Sequence, residues 1–136
     1  ERLVQHIPDH ARDLMNLWPG GVTLVFAAGK NVPKALTGGT GKIGVRLSAH
    51  PVARALTEQF GGPVTGTSAN LSGTPAAASI AALAPELYHE TDLILDAGPL
   101  SGGPGSTIVD VTVWPVAILR QGAVSRRAIE RQLNIG

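Results

Sequence analysis

The segment Gly66-Thr67-Ser68-Ala69-Asn70-Leu71-Ser72-Gly73 holds the groups best suited to chemistry in this chain. Its three hydroxyls, one amide and two glycines can surround a small polar ligand while the backbone comes close. The same residues also suit a turn in which Ser and Asn bond their own backbone. A third interpretation is a nucleophile elbow around Ser68, but Asn70 stands where that motif requires glycine.

Two arginines end apolar segments, and such positions point to ligand binding. Arg46 and Arg120 each follow a predicted strand, and an arginine there must face a cleft, meet a carboxylate or reach solvent. Together they could hold a carboxylate or phosphate with paired hydrogen bonds. The alternative is a pair of structural salt bridges, for example to Asp96 and Asp110.

The glycine-rich stretch 102–107 superficially resembles a phosphate loop. It lacks the Gly-Lys-Ser/Thr sequence and leads into a predicted strand instead of a helix, so a Walker-type ATPase is not expected. Ser106 could still donate a hydrogen bond to a ligand from the beginning of that strand. An ordinary loop remains the simpler interpretation.

The histidines give little support for a metal site. His6 and His10 are four residues apart, but Pro8 lies between them and breaks the helical spacing. No cysteine is present, so a zinc site would need His and carboxylate ligands. His50 follows Arg46 by four residues and either lines the same cleft or caps the helix that begins there. We predict no protein metal site.

Composition places the chain among single-domain proteins. It has 136 residues, of which 43% are hydrophobic and 15% charged, enough apolar content for one core. The net charge of +1 makes no case for a nucleic-acid or membrane surface. No apolar run has the length of a membrane span, and no signal peptide is visible. A cytoplasmic location is expected.

Hydrophobic patterns predict alternating helices and strands, with strands clustering late. This order predicts an α/β or α+β domain with a mixed sheet and flanking helices over residues 1–136. Asp9 and Ser125 are the expected caps of the first and last helices. Helices are predicted over 9–17, 51–60, 79–87 (with a break at Pro85) and 126–133, a helical turn near 33–36, and strands over 22–27, 42–46, 63–67, 93–96, 107–111 and 116–120.

Five motifs in order along nearly the whole chain resemble the YrdC-like family, whose enzymatic members are threonylcarbamoyl-adenylate synthases. The segment that begins at Thr67 is the most specific of them. The five are Trp18-Pro19-Gly20-Gly21-Val22-Thr23-Leu24, Ile43-Gly44-Val45-Arg46-Leu47-Ser48-Ala49-His50-Pro51, Thr67-Ser68-Ala69-Asn70-Leu71-Ser72-Gly73, Gly105-Ser106-Thr107-Ile108-Val109-Asp110 and Ile118-Leu119-Arg120-Gln121-Gly122-Ala123.

The resemblance implies a twisted, mixed open sheet and an enzyme of tRNA modification. Such an enzyme joins L-threonine, bicarbonate and ATP into threonylcarbamoyl-AMP and pyrophosphate, with Mg²⁺ on the phosphates. The product serves threonylcarbamoylation of adenosine 37 in certain tRNAs by a downstream transfer machinery. Two alternatives stay open: a non-catalytic member that binds tRNA or double-stranded RNA, and a carbamoyl-transfer module of the hydrogenase-maturation type.

The resemblance also implies roles for particular residues, all of them in binding. No residue is expected to form a covalent intermediate, so Ser68 is a binding group. Catalysis would come from positioning and charge stabilisation. The implied threonine contacts are Arg46, Gly66 and Ser106, the implied ATP contacts are Lys42, Ser68, Ala76 and Arg120, and Asn70 and His50 support them.

Departures from the family pattern accompany these assignments. Lys42 stands where the family usually has Thr, and Ser48 where it usually has Pro. Residues 1–19 contain no Lys-x-Arg motif of the kind that opens the family. We therefore expect the chain to be the C-terminal portion of a YrdC-like domain, with an incomplete fold, an exposed sheet edge that favours association, and little activity of its own.

Overall fold

The computed structural model describes residues 3–135 and separates them into two compact units. The sheet unit comprises the described residues up to Arg54 and from Pro104 onward, and the loop unit comprises Ala55–Gly103. The division falls inside one helix.

Five α-helices, one short 3₁₀ helix and four strands are formed within residues 3–135. None of these helices is long and apolar enough to cross a bilayer. In chain order the elements are α1 (Asp9–Met15), β1 (Val22–Ala27), α2 (Lys34–Thr37), β2 (Lys42–Val45), α3 (Pro51–Phe60), the 3₁₀ helix (Ile80–Ala82), α4 (Pro85–Glu90), β3 (Thr107–Asp110), β4 (Ala117–Arg120) and α5 (Arg126–Gln132).

The sheet unit is built on one mixed sheet with the strand order β2-β1-β3-β4. Strand β1 pairs antiparallel with β2 and parallel with β3, and β3 pairs antiparallel with β4. The parallel pair aligns Val22 with Thr107 and Val25 with Asp110. The predicted mixed open sheet, including its late hairpin, is thus confirmed.

One face of this sheet forms the hydrophobic core with α1 and α5. Residues of β1 alternate between buried and half-buried, as expected for a strand with one covered face. Ser125 caps α5 by accepting a hydrogen bond from the Ala128 N–H, which confirms the predicted cap. The core comprises Ala11, Leu14, Val22, Leu24, Phe26, Val109, Val111, Ile129 and Leu133.

The strands predicted over 63–67 and 93–96 are wrong, because neither segment pairs with another. Both lie in the loop unit, and residues 55–103 contain no strand that could complete their hydrogen bonds. Their apolar side chains remain open to solvent: Leu93 is 73% exposed and Leu95 55% exposed. A β-rich composition makes a strand only where a neighbouring strand supplies partners.

Two helix predictions also need correction. The helix predicted over 79–87 is split into the 3₁₀ helix and α4, since Pro85 cannot donate an internal helical bond and occupies the first position of α4 instead. Asp9 does not cap α1: Pro8 holds the cap position, and Asp9 lies in the first helical turn, where its charge favours the helix dipole.

Candidate functional site

The face of the sheet opposite the core carries polar side chains from three neighbouring strands. Side chains alternate along a strand, so Lys42, Gly44 and Arg46 follow one face of β2 and its continuation. That face is shared with β1 and β3, because Lys42 reaches Asp110 and Thr23 reaches Ser106. Four of the predicted contacts, at Lys42, Arg46, Ser106 and Arg120, belong to this unit.

Arg46 is anchored by one nitrogen and exposed at its end. Its Nε donates to the Gly20 carbonyl oxygen at 2.8 Å, and the Gly20 N–H donates to the Leu47 carbonyl at 2.9 Å. These two bonds hold the guanidinium against the turn before β1. Within residues 3–135, its two terminal nitrogens have no hydrogen-bond partner, so both are available for a carboxylate.

Ser106 lies at the start of β3 and is buried. It is 8% exposed, and its Oγ is 2.7 Å from Thr23 Oγ1. Thr23 and Ser106 are 83 residues apart in sequence, and their contact depends on the parallel pairing of β1 with β3. Sequence reasoning gave Thr23 no role; its place in the first motif was the signal available.

Arg120 ends β4 and returns to the Ser106 backbone. Its Nη2 and Nε donate to the Ser106 carbonyl at 2.9 and 3.3 Å. The expected alternative of arginine salt bridges to Asp96 and Asp110 is wrong. Asp110 pairs with Lys42, and Asp96 accepts a hydrogen bond from the Gly98 N–H.

Thr107 fixes the turn that follows β4, and sequence reasoning missed it. Its fully buried Oγ1 accepts from the N–H groups of Gly122 and Val124 at 3.0 and 3.1 Å and donates to the Val124 carbonyl at 2.6 Å. A hydroxyl has one proton and two lone pairs, so all three are used. The backbone beside Ser106 and Arg120 is thereby held in place.

Lys42 is engaged by a buried carboxylate. Its Nζ lies 2.7 Å from Asp110 Oδ2, while Oδ1 accepts from the N–H and hydroxyl of Thr112 at 2.9 and 2.6 Å. Burial raises the pKa of Asp110, but the hydrogen bonds from Lys42 and Thr112 outweigh it and bring the pKa below its ordinary value. The ammonium predicted to contact ATP is thus bound to Asp110 in this structure.

The lowered pKa of Asp110 predicts a loss of stability in acid. The unfolded chain binds the proton more readily, so the contribution is complete above the ordinary value of 3.8 and is lost as pH falls from there through the lowered folded value. We expect the free energy of unfolding to decrease less between about pH 6 and pH 3 in Asp110→Asn than in the unaltered chain. Urea unfolding followed by tryptophan fluorescence measures this.

The control is Asp13→Asn, which removes the same charge from an exposed position of α1. It should keep the acid sensitivity of the unaltered chain. An Asp110→Asn variant with that same sensitivity would contradict a stabilising role for the buried carboxylate.

Asn70 organises the polar segment of the loop unit through its amide. Its Nδ2 donates to the carbonyls of Leu71 and Thr74 at 2.9 and 2.7 Å, and its backbone N–H donates to the Ser68 carbonyl at 3.0 Å. The Oδ1 atom is buried and has no partner within the described part of the chain. The Asn part of the expected self-bonded turn is therefore formed, whereas within residues 3–135 neither Ser68 nor Ser72 makes a side-chain hydrogen bond to it.

The remaining predicted contacts of this segment lie on its surface. Gly66, Ser68 and Ala76 are exposed, and a methyl group built on Gly66 would meet no atom within 4 Å. Accessible hydroxyl and backbone groups on a turn held by Asn70 suit ligand binding. Their roles toward threonine and ATP stay predictions.

The histidines take structural positions. His10 Nε2 lies 3.0 Å from the Val111 carbonyl oxygen, and its ring contacts Trp114 at a centroid distance of 5.1 Å. The half-buried His50 precedes α3, where its N–H donates to Ser48 Oγ and its carbonyl accepts from Arg54. Within residues 3–135, no three His, Cys, Asp or Glu side chains gather as metal ligands.

Comparison with known proteins places this chain in a family. The Sua5/YciO/YrdC family model, described as "Telomere recombination", matches residues 1–122, and the chain belongs to that family. Among curated relatives, the threonylcarbamoyl-AMP synthase of Pyrococcus abyssi is 37% identical over 135 residues, which are 98% of this chain and 40% of the relative. The putative threonylcarbamoyl-AMP synthase of Mycobacterium tuberculosis H37Rv is 36% identical over 99% of this chain and 62% of its own length.

The solved structures that this chain resembles are members of the same family. P. abyssi Sua5 complexed with L-threonine superposes with a TM-score of 0.91 at 37% identity, over 97% of this chain and 39% of that one. Escherichia coli YciO gives a TM-score of 0.80 at 28% identity, over 90% of this chain and 61% of that one. The chain thus spans about two fifths to three fifths of the length of these relatives.

Proposed function

We propose that the protein containing this chain makes threonylcarbamoyl-AMP from L-threonine, bicarbonate and ATP, with release of pyrophosphate. The observation that carries the proposal is the position of Arg46, whose guanidinium is anchored through Nε and leaves its two terminal nitrogens for a ligand carboxylate. The chain is 37% identical in sequence to a protein whose structure was solved with L-threonine. The relatives named as synthases support the same reaction. They favour it over the RNA-binding and carbamoyl-transfer alternatives.

In this proposal, the sheet unit supplies the charged contacts. The Arg46 guanidinium binds the carboxylate of threonine with two parallel hydrogen bonds. The Ser106 hydroxyl binds the hydroxyl of threonine. Arg120 uses Nη1, the guanidinium nitrogen that does not donate to Ser106, for the phosphates of ATP, and the Lys42 ammonium contacts ATP from its ion pair with Asp110.

The loop unit supplies neutral groups that contact the nucleotide and threonine. Ser68 and Ala76 contact ATP, and the Gly66 backbone contacts threonine, on the turn that Asn70 fixes. In the sheet unit, His50 supports the threonine contacts from the position just before α3. Since the described residues gather no ligand cluster, Mg²⁺ would be held by phosphate oxygens and water, as it commonly is in nucleotide sites.

The partners follow from the product. Threonylcarbamoyl-AMP carries an activated threonylcarbamoyl group, so a downstream enzyme would transfer that group to tRNA with release of AMP. A cytoplasmic location, in which the product can reach that enzyme and its tRNA, is part of the same proposal.

The test is pyrophosphate release by the protein that contains this chain, supplied with ATP and Mg²⁺. Release should depend on both L-threonine and bicarbonate, and titration calorimetry should detect L-threonine binding. Release that is indifferent to threonine, or no threonine binding at all, would contradict the proposal. Dependence on carbamoyl phosphate would favour the carbamoyl-transfer alternative, and salt-sensitive tRNA binding without ATP consumption the RNA-binding one.

A further inference from the structure

Thr23 is held from both sides at the middle of the polar face. On the β3 side, its Oγ1 is 2.7 Å from the Oγ of Ser106. On the β2 side, its methyl group faces Gly44, where an added Cβ would lie only 3.1 Å away. The missing side chain of Gly44 makes room for the Thr23 methyl, and the two neighbours together fix the Thr23 rotamer.

The hydroxyls of Thr23 and Ser106 form a hydrogen-bonded pair that keeps one proton not used in the bond between them. Two hydroxyls carry two protons, and the bond between them uses one. When Thr23 donates, Ser106 can donate to a ligand; when Ser106 donates to Thr23, its oxygen can only accept from one. Ser106 can therefore act as a donor or as an acceptor toward a ligand, because Thr23 takes the opposite role in the bond between them.

We infer that Thr23 is the positioning residue for Ser106 and makes the site selective for an amino acid with a side-chain hydroxyl. This inference rests on the proposed threonine contact of Ser106. A ligand hydroxyl donates and accepts, so it matches the pair in both of its arrangements. A methyl group in the same place would leave the 8%-exposed Ser106 without a partner for its remaining capacity, and such mismatches discriminate strongly.

The test compares binding of L-threonine with that of L-valine, which has a methyl group in place of the hydroxyl. Thr23→Val keeps the branched shape and the methyl group facing Gly44 but replaces the hydroxyl with a second methyl group, which can neither donate nor accept a hydrogen bond. We expect it to lower the threonine-to-valine affinity ratio of the protein that contains this chain about threefold to tenfold, which corresponds to the free energy of one net hydrogen bond. Thr23→Ser, which keeps the hydroxyl, should restore the ratio.

A double-mutant comparison separates positioning from a general structural effect. In a Ser106→Ala background, Thr23→Val should leave the ratio unchanged, because the group through which it acts is gone. A loss of affinity that is equal for the two amino acids would overturn the inference and assign Thr23 a packing role. An unchanged ratio in the single variant would overturn it as well.

The outcomes also separate this inference from the proposed function. If the unaltered protein that contains this chain prefers threonine and Thr23→Val keeps that preference, only the role of Thr23 fails. If that unaltered protein shows no preference, the threonine site itself fails, and the inference fails with it.

Discussion

Replacing Gly122 with alanine is expected to destabilise the sheet unit by about 3 kcal/mol or more, near the upper end of overpacking effects. A Cβ there would lie 2.5 Å from the Ser106 carbonyl carbon and closer still to the Gly105 carbonyl oxygen. Both are backbone atoms at the start of β3, where Thr107 fixes the turn. Neither can move without breaking the contacts around Ser106.

Urea unfolding followed by tryptophan fluorescence suits this test, because both tryptophans, Trp18 and Trp114, lie in the sheet unit. Gly105→Ala is the matched control, because Gly105 carries the carbonyl oxygen that a Cβ on residue 122 would meet. Its added Cβ would meet Arg120 Nη2 at 2.9 Å, and the end of a long side chain can swing away. We expect a cost below about 1 kcal/mol for the control; equal costs for the two variants would contradict the backbone clash.

Replacing Arg46 with alanine is expected to lower L-threonine affinity about 100-fold or more, because two charge-assisted hydrogen bonds to the ligand carboxylate are lost. Arg46→Lys keeps the charge but loses the planar fork, so a smaller loss of about tenfold is expected. Since Arg46 is exposed, unfolding should change by less than about 1 kcal/mol in either variant. Titration calorimetry and urea unfolding measure the two effects.

Arg127→Ala is the control for the loss of a positive charge, since Arg127 is an exposed arginine of α5. Its threonine affinity should stay within about twofold of the unaltered chain. An Arg46→Ala variant that binds threonine as well as Arg127→Ala does would contradict the carboxylate contact. Pyrophosphate release should follow the same order of variants.

Local signals sufficed where an element depends on its own residues. The bounds of β1 and α3 agree with the prediction, because a β-branched run marks Val22–Ala27 and a proline opens Pro51–Phe60. Helix α5 begins at the predicted Arg126, because its Ser125 cap is a short-range feature, and ends at Gln132, one residue before the predicted end. The strands expected near residues 63–67 and 93–96 did not form because strand formation depends on a partner elsewhere, which sequence pattern does not reveal.

The sequence predicted which residues form the candidate site but not the contacts between them. The resemblance named Arg46, Ser106 and Arg120, and the structure brings the latter two into direct contact. The pairing of Lys42 with Asp110 depends on the order β2-β1-β3, which joins residues 68 positions apart. The role of Thr107 depends in the same way on the return of β4 beside β3.

No residue of the loop unit is buried as a whole, although the Asn70 Oδ1 atom is: all residues from 55 to 103 are at least partly exposed. A saturation-mutagenesis screen for activity should therefore divide this chain in two. At core positions such as Leu24 and Val109, loss of activity would mostly report failure to fold. Around Ser68 and Ala76, where little packing exists to disturb, the same loss would report contacts with the ligand.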